Sequence, residues 1–340
     1  MKVAIYAWAG CGNFGDDWIL EAFVSQASKR GHEVLLVREP QAVFEDNLSK
    51  YPSISWPGFY SSFRDSKKFE SELNRYDALI LAGGGWLASD RNSKEMIHWY
   101  VRFLNIKIPI YPVFLGVGPF NYKLGKSFAK SLFRKFKTDD FSPSVRTIED
   151  GVYLAQLGIQ HFEVATDLAL IDEEFSFAPP SSNRSGIVVV LPSPASHRSR
   201  EDIESWGNSL LSFCKSLGEE IYFVDFQFGL YSDHRYWSKL FENKLEAKNI
   251  HQAGDILSDS KYLVAGRLHS ALLGIKTGVP NILAIGYHHK FDLLKNFGIN
   301  PIHNDSTSFE FNQPSFDLAP NWHLVAEREF VRIWDSLESS

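Results

Sequence analysis

Short apolar runs alternate with amphipathic segments along most of the chain, and glycine or polar residues separate them. This alternation predicts a parallel sheet whose strands are connected by helices. In the first half we predict strands at 3–8, 34–37, 78–82, 110–115 and 145–148, with helices at 16–29, 66–75, 93–104, 124–136 and 150–157. Gly31 and Gly158 follow the first and last of these helices, as C-terminal caps would.

A polar, proline-containing segment at 173–185 interrupts this pattern, which then restarts. Strands are predicted at 187–191, 220–226, 261–265 and 281–285, and helices at 201–217, 233–247, 268–277, 288–297 and 321–337. We therefore predict an α/β protein with two Rossmann-like parallel-sheet domains facing a cleft, a GT-B-like fold, and a C-terminal helix. The predicted division is 1–172, a linker at 173–185, a second domain at 186–320, and the helix at 321–340.

Charge and cysteine content restrict the class of protein. The 340 residues carry a net charge of −6, so we expect no nucleic-acid partner. Only Cys11 and Cys214 are present, which favours a reducing, cytoplasmic setting over a disulfide framework. No apolar run approaches 18 residues and the N-terminus lacks a signal-peptide pattern, so no transmembrane segment is predicted. No Cys cluster or His-x-Glu spacing predicts a metal site.

The first predicted strand leads into Gly10-x-Gly12-x-x-Gly15 and a helix, with Glu39 where a ribose-binding acid would be expected. This order is typical of dinucleotide-binding units, but Asp16 and Asp17 argue against that function. Two carboxylates at the helix start would repel a diphosphate, whereas they accept hydrogen bonds from sugar hydroxyls well. We therefore expect a polar acceptor site here and no nucleotide cofactor.

Two glycine-rich turns end later strands, Gly83-Gly84-Gly85 and Gly116-x-Gly118-Pro119. Their exposed N–H groups would allow a ligand to approach closely, and plain tight turns are the equal alternative. Arg146, at the end of another strand, would bind an anion or pair with Glu149 or Asp150.

Arg267 and His269 lie at the start of one predicted helix, directly after a buried strand. A guanidinium, an imidazole and free N–H groups together favour a small, multiply charged anion. The alternative is a salt bridge between domains for Arg267 and a structural role for His269. Further cations follow two other strands of this half, namely Arg198, Arg200 and Lys290.

One predicted helix is strongly basic, with Lys123, Lys126, Lys130, Arg134, Lys135 and Lys137. A solvated helix face is the default interpretation. Peripheral contact with an anionic membrane or a lipid-diphosphate acceptor is the alternative.

In their order and spacing these motifs resemble the polysaccharide pyruvyl transferase family over about residues 1–290; they are Asn13-Phe-Gly15-Asp16-Asp17, Gly83-Gly84-Gly85, Gly116-x-Gly118-Pro119, Val145-Arg146 and Gly266-Arg267-Leu-His269. The resemblance implies a cytoplasmic, GT-B-like transferase of cell-surface polysaccharide biosynthesis. The implied reaction moves pyruvate from phosphoenolpyruvate onto two hydroxyls of a sugar, lipid-linked or nucleotide-linked, to form a cyclic ketal. No further cofactor is implied.

Three segments depart from the family pattern. Thr147 and Asp150 stand where an acid and a serine are usual, and Asp167-Leu168 replaces an Asp-Pro pair. Pro192-Ser-Pro194 precedes Arg198 and Arg200 where a single arginine is usual, so the sequence leaves open which of them takes that role.

With the resemblance, the residues receive expected roles. His269 is the expected general acid, and Asp16 or Asp17 is expected to orient or deprotonate the acceptor hydroxyls. The predicted substrate-binding residues are Asn13, Gly84, Gly85, Gly116, Gly118, Arg146, Arg198, Arg200, Arg267 and Lys290. Two alternatives stay open: a GT-B glycosyltransferase that uses a nucleotide sugar, and a non-catalytic glycan-binding protein of the same fold.

Overall fold

The structure is a computed structural model that describes residues 1–43, 48–57, 63–84, 87–89, 94–136, 141–170, 181–193, 199–227, 232–286, 289–303, 305–315 and 322–339. The chain forms two compact units. The first comprises Met1–Cys11, Asp16–Ile171 and Trp322–Ser340, and the second comprises Gly12–Gly15 and Asp172–Asn321.

Strands and helices alternate along the described chain. In order they are β1 (Lys2–Tyr6), α1 (Phe14–Lys29), β2 (Glu33–Arg38), β3 (Ser53–Ser55), α2 (Phe63–Leu73), β4 (Ala78–Ala82), β5 (Leu87–Ser89), α3 (Lys94–Phe103), β6 (Ile110–Val113), β7 (Val117–Phe120), α4 (Lys123–Phe136), β8 (Ser144–Val145), α5 (Ile148–Gln156), β9 (Glu163–Val164), β10 (Ser185–Val190), α6 (Arg200–Ser216), β11 (Ile221–Val224), α7 (His234–Trp237), β12 (Lys244–Leu245), α8 (Ile250–Ser258), β13 (Ser260–Ala265), α9 (Leu268–Lys276), β14 (Asn281–Ala284) and α10 (Trp322–Ser339). Two 3-10 helices cover Leu168–Leu170 and His289–Phe297.

The first unit is built on a parallel sheet of five strands in the order β3-β2-β1-β4-β6. All five residues of β4 are buried, as expected of a central parallel strand whose sequence is continuously apolar. Tyr6 and Leu81 point into a core that includes Trp99 of α3 and Phe133 of α4. Two smaller pairs, β5 with β7 and β8 with β9, complete the unit.

The second unit repeats this design with the strand order β12-β11-β10-β13-β14, again all parallel. Its core includes Val189 and Val264 of the central strands and Trp206 and Leu210 of α6. In such sheets the loops after the carboxyl ends of neighbouring strands lie side by side. The loops after β11, β10 and β13 are therefore neighbours.

The predicted α/β class with two parallel sheets and a C-terminal helix is confirmed, while some local predictions are wrong. The strand expected at 145–148 is only β8 (Ser144–Val145), because Thr147 caps α5 and that helix begins at Ile148. The helix expected at 233–247 is only the single turn α7, because the chain turns back to add β12 to the sheet edge, where Phe223 N donates to Asn243 O at 2.8 Å. Helix α8 was not predicted, although Asn249 caps it by accepting from Gln252 N. The expected helix at 288–297 is a 3-10 helix.

The predicted division of the chain set the C-terminal helix apart, whereas the structure groups α10 with the first unit. The reason is packing onto α1 and the turn after it. The ring centroids of Phe330 and Phe23 lie 4.8 Å apart. Glu338 Oε1 accepts a hydrogen bond from Arg30 Nη1 at 3.2 Å and lies 3.1 Å from His32 Nε2.

Candidate functional site

The start of α9 is held tightly against the neighbouring strand. Gly266 N donates to Val190 O at 2.6 Å, and a Cβ at Gly266 would lie 2.9 Å from that oxygen, so glycine is required there. Arg267 then forms the N-cap in an extended conformation with no side-chain cap hydrogen bond. The first N–H groups of a helix lack intrahelical partners and carry partial positive charge. The predicted anion site at this end of α9 is consistent with these N–H groups and stays a prediction.

The guanidinium of Arg267 lies against a buried carboxylate that the sequence analysis missed. Nε donates to Asp233 Oδ2 at 2.7 Å and Nη2 donates to Asp233 Oδ1 at 2.8 Å, a bidentate pair. Asp233 is 1% exposed, and Arg267 retains 21% side-chain exposure. The salt bridge that the sequence allowed for Arg267 thus exists, but it lies within one unit rather than between two domains.

Asp233 also fixes the two loops beside it. Its Oδ1 accepts from the backbone N of Ser193 at 2.7 Å and from Ser193 Oγ at 3.1 Å. Its own N donates to Asp225 Oδ1 at 3.1 Å. Burial raises the pKa of Asp233 above its usual range, and the bonds from Arg267 and Ser193 oppose this shift. One carboxylate therefore ties together the loops after β10, β11 and β13.

His269, two residues after Arg267, lies against the Asn13-Phe-Gly15 motif. A Cβ built at Gly15 would overlap the imidazole ring, so only glycine leaves room for it. Asn13 Oδ1 accepts from Gly15 N at 3.2 Å, and the motif is held by Phe14 N donating to Phe226 O at 3.4 Å. The structure thus brings together two motifs that are about 250 residues apart in the sequence.

Asp16 and Asp17 lie in the first turn of α1, as predicted. Asp17 Oδ1 accepts from Gly10 N at 2.6 Å and thereby holds the preceding glycine loop, and Asp16 is 7% exposed. Burial, together with the negative charges of Glu39, Asp16 and Asp17, raises the pKa of Cys11 to about 12. This concentration of negative charge supports the argument against a diphosphate at the start of α1.

Glu39 stands where a ribose-binding acid was considered, and it has a structural partner instead. Both carboxylate oxygens accept from Arg102, at 2.6 and 3.0 Å, and Tyr6 Oη donates to it at 3.0 Å. The two charged side chains are 6% and 5% exposed, so the pair belongs to the interior of the first unit.

Arg146 is also buried, at 4% exposure. Its Nε donates to Phe114 O at 3.1 Å and lies 3.0 Å from Asp167 Oδ2, while Nη2 is buried and makes no hydrogen bond to the described residues. Phe114 and Thr166 have φ values of 52° and 69°, which non-glycine residues rarely adopt. The arginine thus lies among strained residues and next to Gly83, where a Cβ would be 3.3 Å from Nη2.

The sequence offered Glu149 and Asp150 as partners for Arg146, but Asp150 has other partners. Asp150 Oδ2 accepts from Thr147 N at 3.0 Å, and Thr147 Oγ1 accepts from Asp150 N at 3.1 Å, which is a capping box for α5. Asp150 Oδ1 also accepts from Val117 N at 2.7 Å. The departure from the family pattern at these two positions thus supplies a helix cap.

The two glycine turns pack closely against neighbouring groups. Gly116 N donates to Gly84 O at 2.9 Å, so that N–H is not available to a ligand. Gly118 has φ of 78°, and a Cβ there would enter the ring of Tyr153. The structure therefore gives these glycines a packing role, and the predicted ligand contacts stay a prediction.

Several predicted site residues have no described surroundings. Gly85 and Arg198 lie outside the described residues, and Arg200 begins α6 with a side chain that is not described. Lys290 lies in the 3-10 helix, with Nζ 6.0 Å from the Phe291 ring centroid.

Among the described residues, no group of three or more His, Cys, Asp or Glu side chains is placed to hold a metal ion. No helix in the described ranges has both the length and the apolar character needed to cross a membrane.

Solved structures similar to this chain share its fold at low sequence identity. The UDP-GlcNAc 2-epimerase of Methanocaldococcus jannaschii aligns with a TM-score of 0.56 and 10% identity, over 99% of this chain and 100% of that one. The S. aureus MnaA–UDP co-structure aligns with a TM-score of 0.57 and 10% identity, over 96% and 90%. These similarities confirm the GT-B-like class.

Comparison with known sequences gives the family. None of the curated proteins compared matches the chain. The family model described as polysaccharide pyruvyl transferase, however, matches residues 13–289, a range that begins at Asn13 and includes both Arg267 and His269. The chain belongs to the polysaccharide pyruvyl transferase family.

Proposed function

We propose that this protein transfers the pyruvyl group of phosphoenolpyruvate to two hydroxyls of a sugar, forming a cyclic ketal during synthesis of a cell-surface polysaccharide. The observation that carries the proposal is the start of α9, where Arg267 and His269 lie together and His269 contacts Gly15 of the other motif. The family match supports the reaction class.

Phosphoenolpyruvate carries a carboxylate and a phosphate, so its site needs cations and N–H donors. Arg267 supplies a guanidinium whose Nε and Nη2 are oriented by Asp233, and the start of α9 supplies N–H groups. In this proposal Arg198 or Arg200 and Lys290, all of the second unit, add positive charge. The second unit is then the donor side and the first unit the acceptor side.

The chemistry needs one acid and one base. His269 protonates the methylene carbon of the donor, which makes the adjacent carbon an oxocarbenium-like electrophile. One sugar hydroxyl adds to that carbon, the C–O bond to phosphate breaks, and the second hydroxyl closes the ketal. Of the two hydroxyl protons, one is finally carried by the new methyl group and the other by phosphate. General acid or base catalysis of such steps contributes about 10²–10⁴-fold each.

Asp16 and Asp17 follow Gly15 directly in the sequence. The proposal assigns them the acceptor hydroxyls, because carboxylates accept hydrogen bonds from sugars and can take the proton of the attacking hydroxyl. Asp17 accepts from Gly10 and holds the preceding loop, and the proposal keeps both Asp16 and Asp17 as candidates for the base.

Calorimetric titration of the purified protein with phosphoenolpyruvate tests the donor assignment, with a UDP-sugar, a free glycan and NAD titrated in parallel. Arg267→Ala should abolish saturable phosphoenolpyruvate binding. Arg332→Ala is the matched control, because Arg332 makes a similar bidentate pair with Glu329, at 2.7 and 2.6 Å, in the first unit. His269→Ala should bind the donor and fail to release phosphate when sugar acceptors are supplied.

Each outcome of the titration decides between the competing functions. Phosphoenolpyruvate binding that survives in Arg332→Ala and is lost in Arg267→Ala supports the proposal. Saturable binding of the nucleotide sugar alone would make the protein a glycosyltransferase of the same fold. Binding of a free glycan, with no donor bound and no phosphate released, would identify a non-catalytic glycan-binding protein.

A further inference from the structure

Helix α4 presents a row of cations to solvent. Lys123, Lys130 and Arg134 are exposed and recur at helical spacing, so they lie on one face, and Lys126 is half-buried beside them. The opposite face is anchored in the core by Leu132 and other apolar residues. The helix is therefore fixed with its basic face outward.

This positive charge is local rather than a property of the whole protein. The chain has a net charge of −6, yet no Asp or Glu occurs between Tyr122 and Phe136; Asp139 and Asp140 are the next acids in sequence. Within the described part of the chain, Lys123, Lys130 and Arg134 form no ion pair. Cations that have no ion-pair partner among the described residues of an acidic protein are available to an external anion.

Exposed apolar side chains lie at both ends of this basic face. Tyr122 and Leu124 are 45% and 56% exposed at its start. Leu104, 41% exposed, lies at its other end, where Lys135 Nζ donates to the backbone oxygens of Phe103 and Leu104. A helix of 14 residues spans roughly 21 Å. Exposed apolar side chains thus occur near both ends of α4.

We propose that this surface, defined by Lys123, Lys130, Arg134, Leu124 and Leu104, docks the protein on an anionic lipid bilayer. The cations match the negative surface potential of such a bilayer, and the flanking apolar side chains match its headgroup boundary. A soluble polyanion would use the cations but give no favourable environment to the apolar pair. The inference is independent of the proposed reaction, since these residues have no part in donor binding.

Vesicle co-sedimentation of the 340-residue chain tests this surface. Phosphatidylcholine vesicles with and without phosphatidylglycerol are compared at low and high salt. The triple variant Lys123→Gln, Lys130→Gln and Arg134→Gln should lower the partition coefficient on anionic vesicles on the order of 100-fold. A control with Lys68→Gln, Lys239→Gln and Lys248→Gln removes three exposed cations from other elements and should bind like wild type.

A separate variant tests how much the exposed apolar side chains contribute to vesicle binding. Leu124→Ser should lower the partition coefficient roughly 10-fold, because one leucine loses its apolar burial. Calorimetry with phosphoenolpyruvate should give unchanged affinity in every variant, which separates this inference from the donor site.

Binding to anionic vesicles that weakens with salt and is lost only in the α4 triple variant supports the proposal. Equal binding of both triple variants, equal binding to neutral vesicles, or no vesicle binding at all would overturn it. Retention of the wild type on heparin without vesicle binding would also overturn it, and would identify a soluble polyanion as the partner instead.

Discussion

The contact between His269 and Gly15 can be tested without any substrate, by Gly15→Ala. A Cβ at position 15 would lie 1.7 Å from His269 Nδ1, whereas ordinary van der Waals contact starts at 3.4 Å. The ring or the start of α1 must then move by the difference of 1.7 Å (3.4 − 1.7). Overpacking of this kind costs about 1–3 kcal/mol, and the preference of a helix for Ala over Gly returns at most about 1 kcal/mol.

The same substitution should behave differently when the imidazole is removed. In a His269→Ala background the clash is absent, so Gly15→Ala should be neutral or should stabilise by up to about 1 kcal/mol. The four proteins of the double-mutant cycle should therefore show a coupling free energy of about 1–3 kcal/mol. Urea unfolding followed by tryptophan fluorescence measures it.

Gly207→Ala is the matched control in the same unit. A Cβ at Gly207 would also be too close to its neighbours, 2.5 Å from Leu240 Cδ1 and 3.0 Å from a ring atom of Trp237, and none of its nearest atoms belongs to His269. The loss of stability caused by Gly207→Ala should be equal with and without the His269→Ala substitution. A coupling below about 0.5 kcal/mol between positions 15 and 269 would refute the contact. If the contact holds, Gly15→Ala should also slow phosphate release about 10²-fold while phosphoenolpyruvate still binds, since displacement by more than 1 Å has that effect.

Three further predictions follow from the buried charges and thiols. Because burial raises the pKa of Asp233 above the usual 3.8, ionisation of this carboxyl favours the unfolded state. The free energy of unfolding of the wild type, relative to that of Asp233→Asn, should therefore fall as the pH rises from 3.8 through the pKa of the folded protein. Urea unfolding at each pH measures this difference. Burial raises the pKa of Cys11 and Cys214 to about 12, so both should react with iodoacetamide about 10³-fold more slowly in the folded protein than in urea. Glu39→Gln removes the charge from a buried pair and should lower stability by about 3–5 kcal/mol, seen as a lower Tm. Equal pH profiles, equal alkylation rates or an unchanged Tm would contradict the respective prediction.

The fold was predictable because buried parallel strands read as continuous apolar runs. Ala78–Ala82 is buried at every position, so nothing in its sequence competes with the strand assignment. The helix prediction at 233–247 was wrong for the opposite reason. Its apolar residues fit a helical period, but β12 needs only two residues at the sheet edge, and such a short edge strand has no sequence pattern of its own. Helix α8 did carry a signal in its sequence, because Asn249 precedes Gln252 by three residues, as an N-cap residue does.

The site was predictable only in part, because sequence shows which groups are present and not which partner each one takes. Asp233 resembled an ordinary helix start, and nothing near it in sequence indicates Arg267, 34 residues later. Only the order of strands β11, β10 and β13 makes their loops neighbours and gives the carboxylate an arginine and a serine to bind. The same holds for Glu39, whose partner Arg102 belongs to α3, 63 residues later in the sequence.

Arg267 shows why this matters for the proposed reaction. An unpaired arginine at a helix start would be free to turn among rotamers, and ordering it on the donor would cost side-chain entropy. Here Asp233 holds Nε and Nη2, and the 1% exposure of that carboxylate means that water does not compete for the pair. The remaining donors of the guanidinium, together with the N–H groups of α9, are then presented in a fixed direction before the donor arrives. In the proposed reaction Asp233 thus need not weaken the donor site, because a partly neutralised but preorganised arginine can bind a multiply charged donor and still release phosphate.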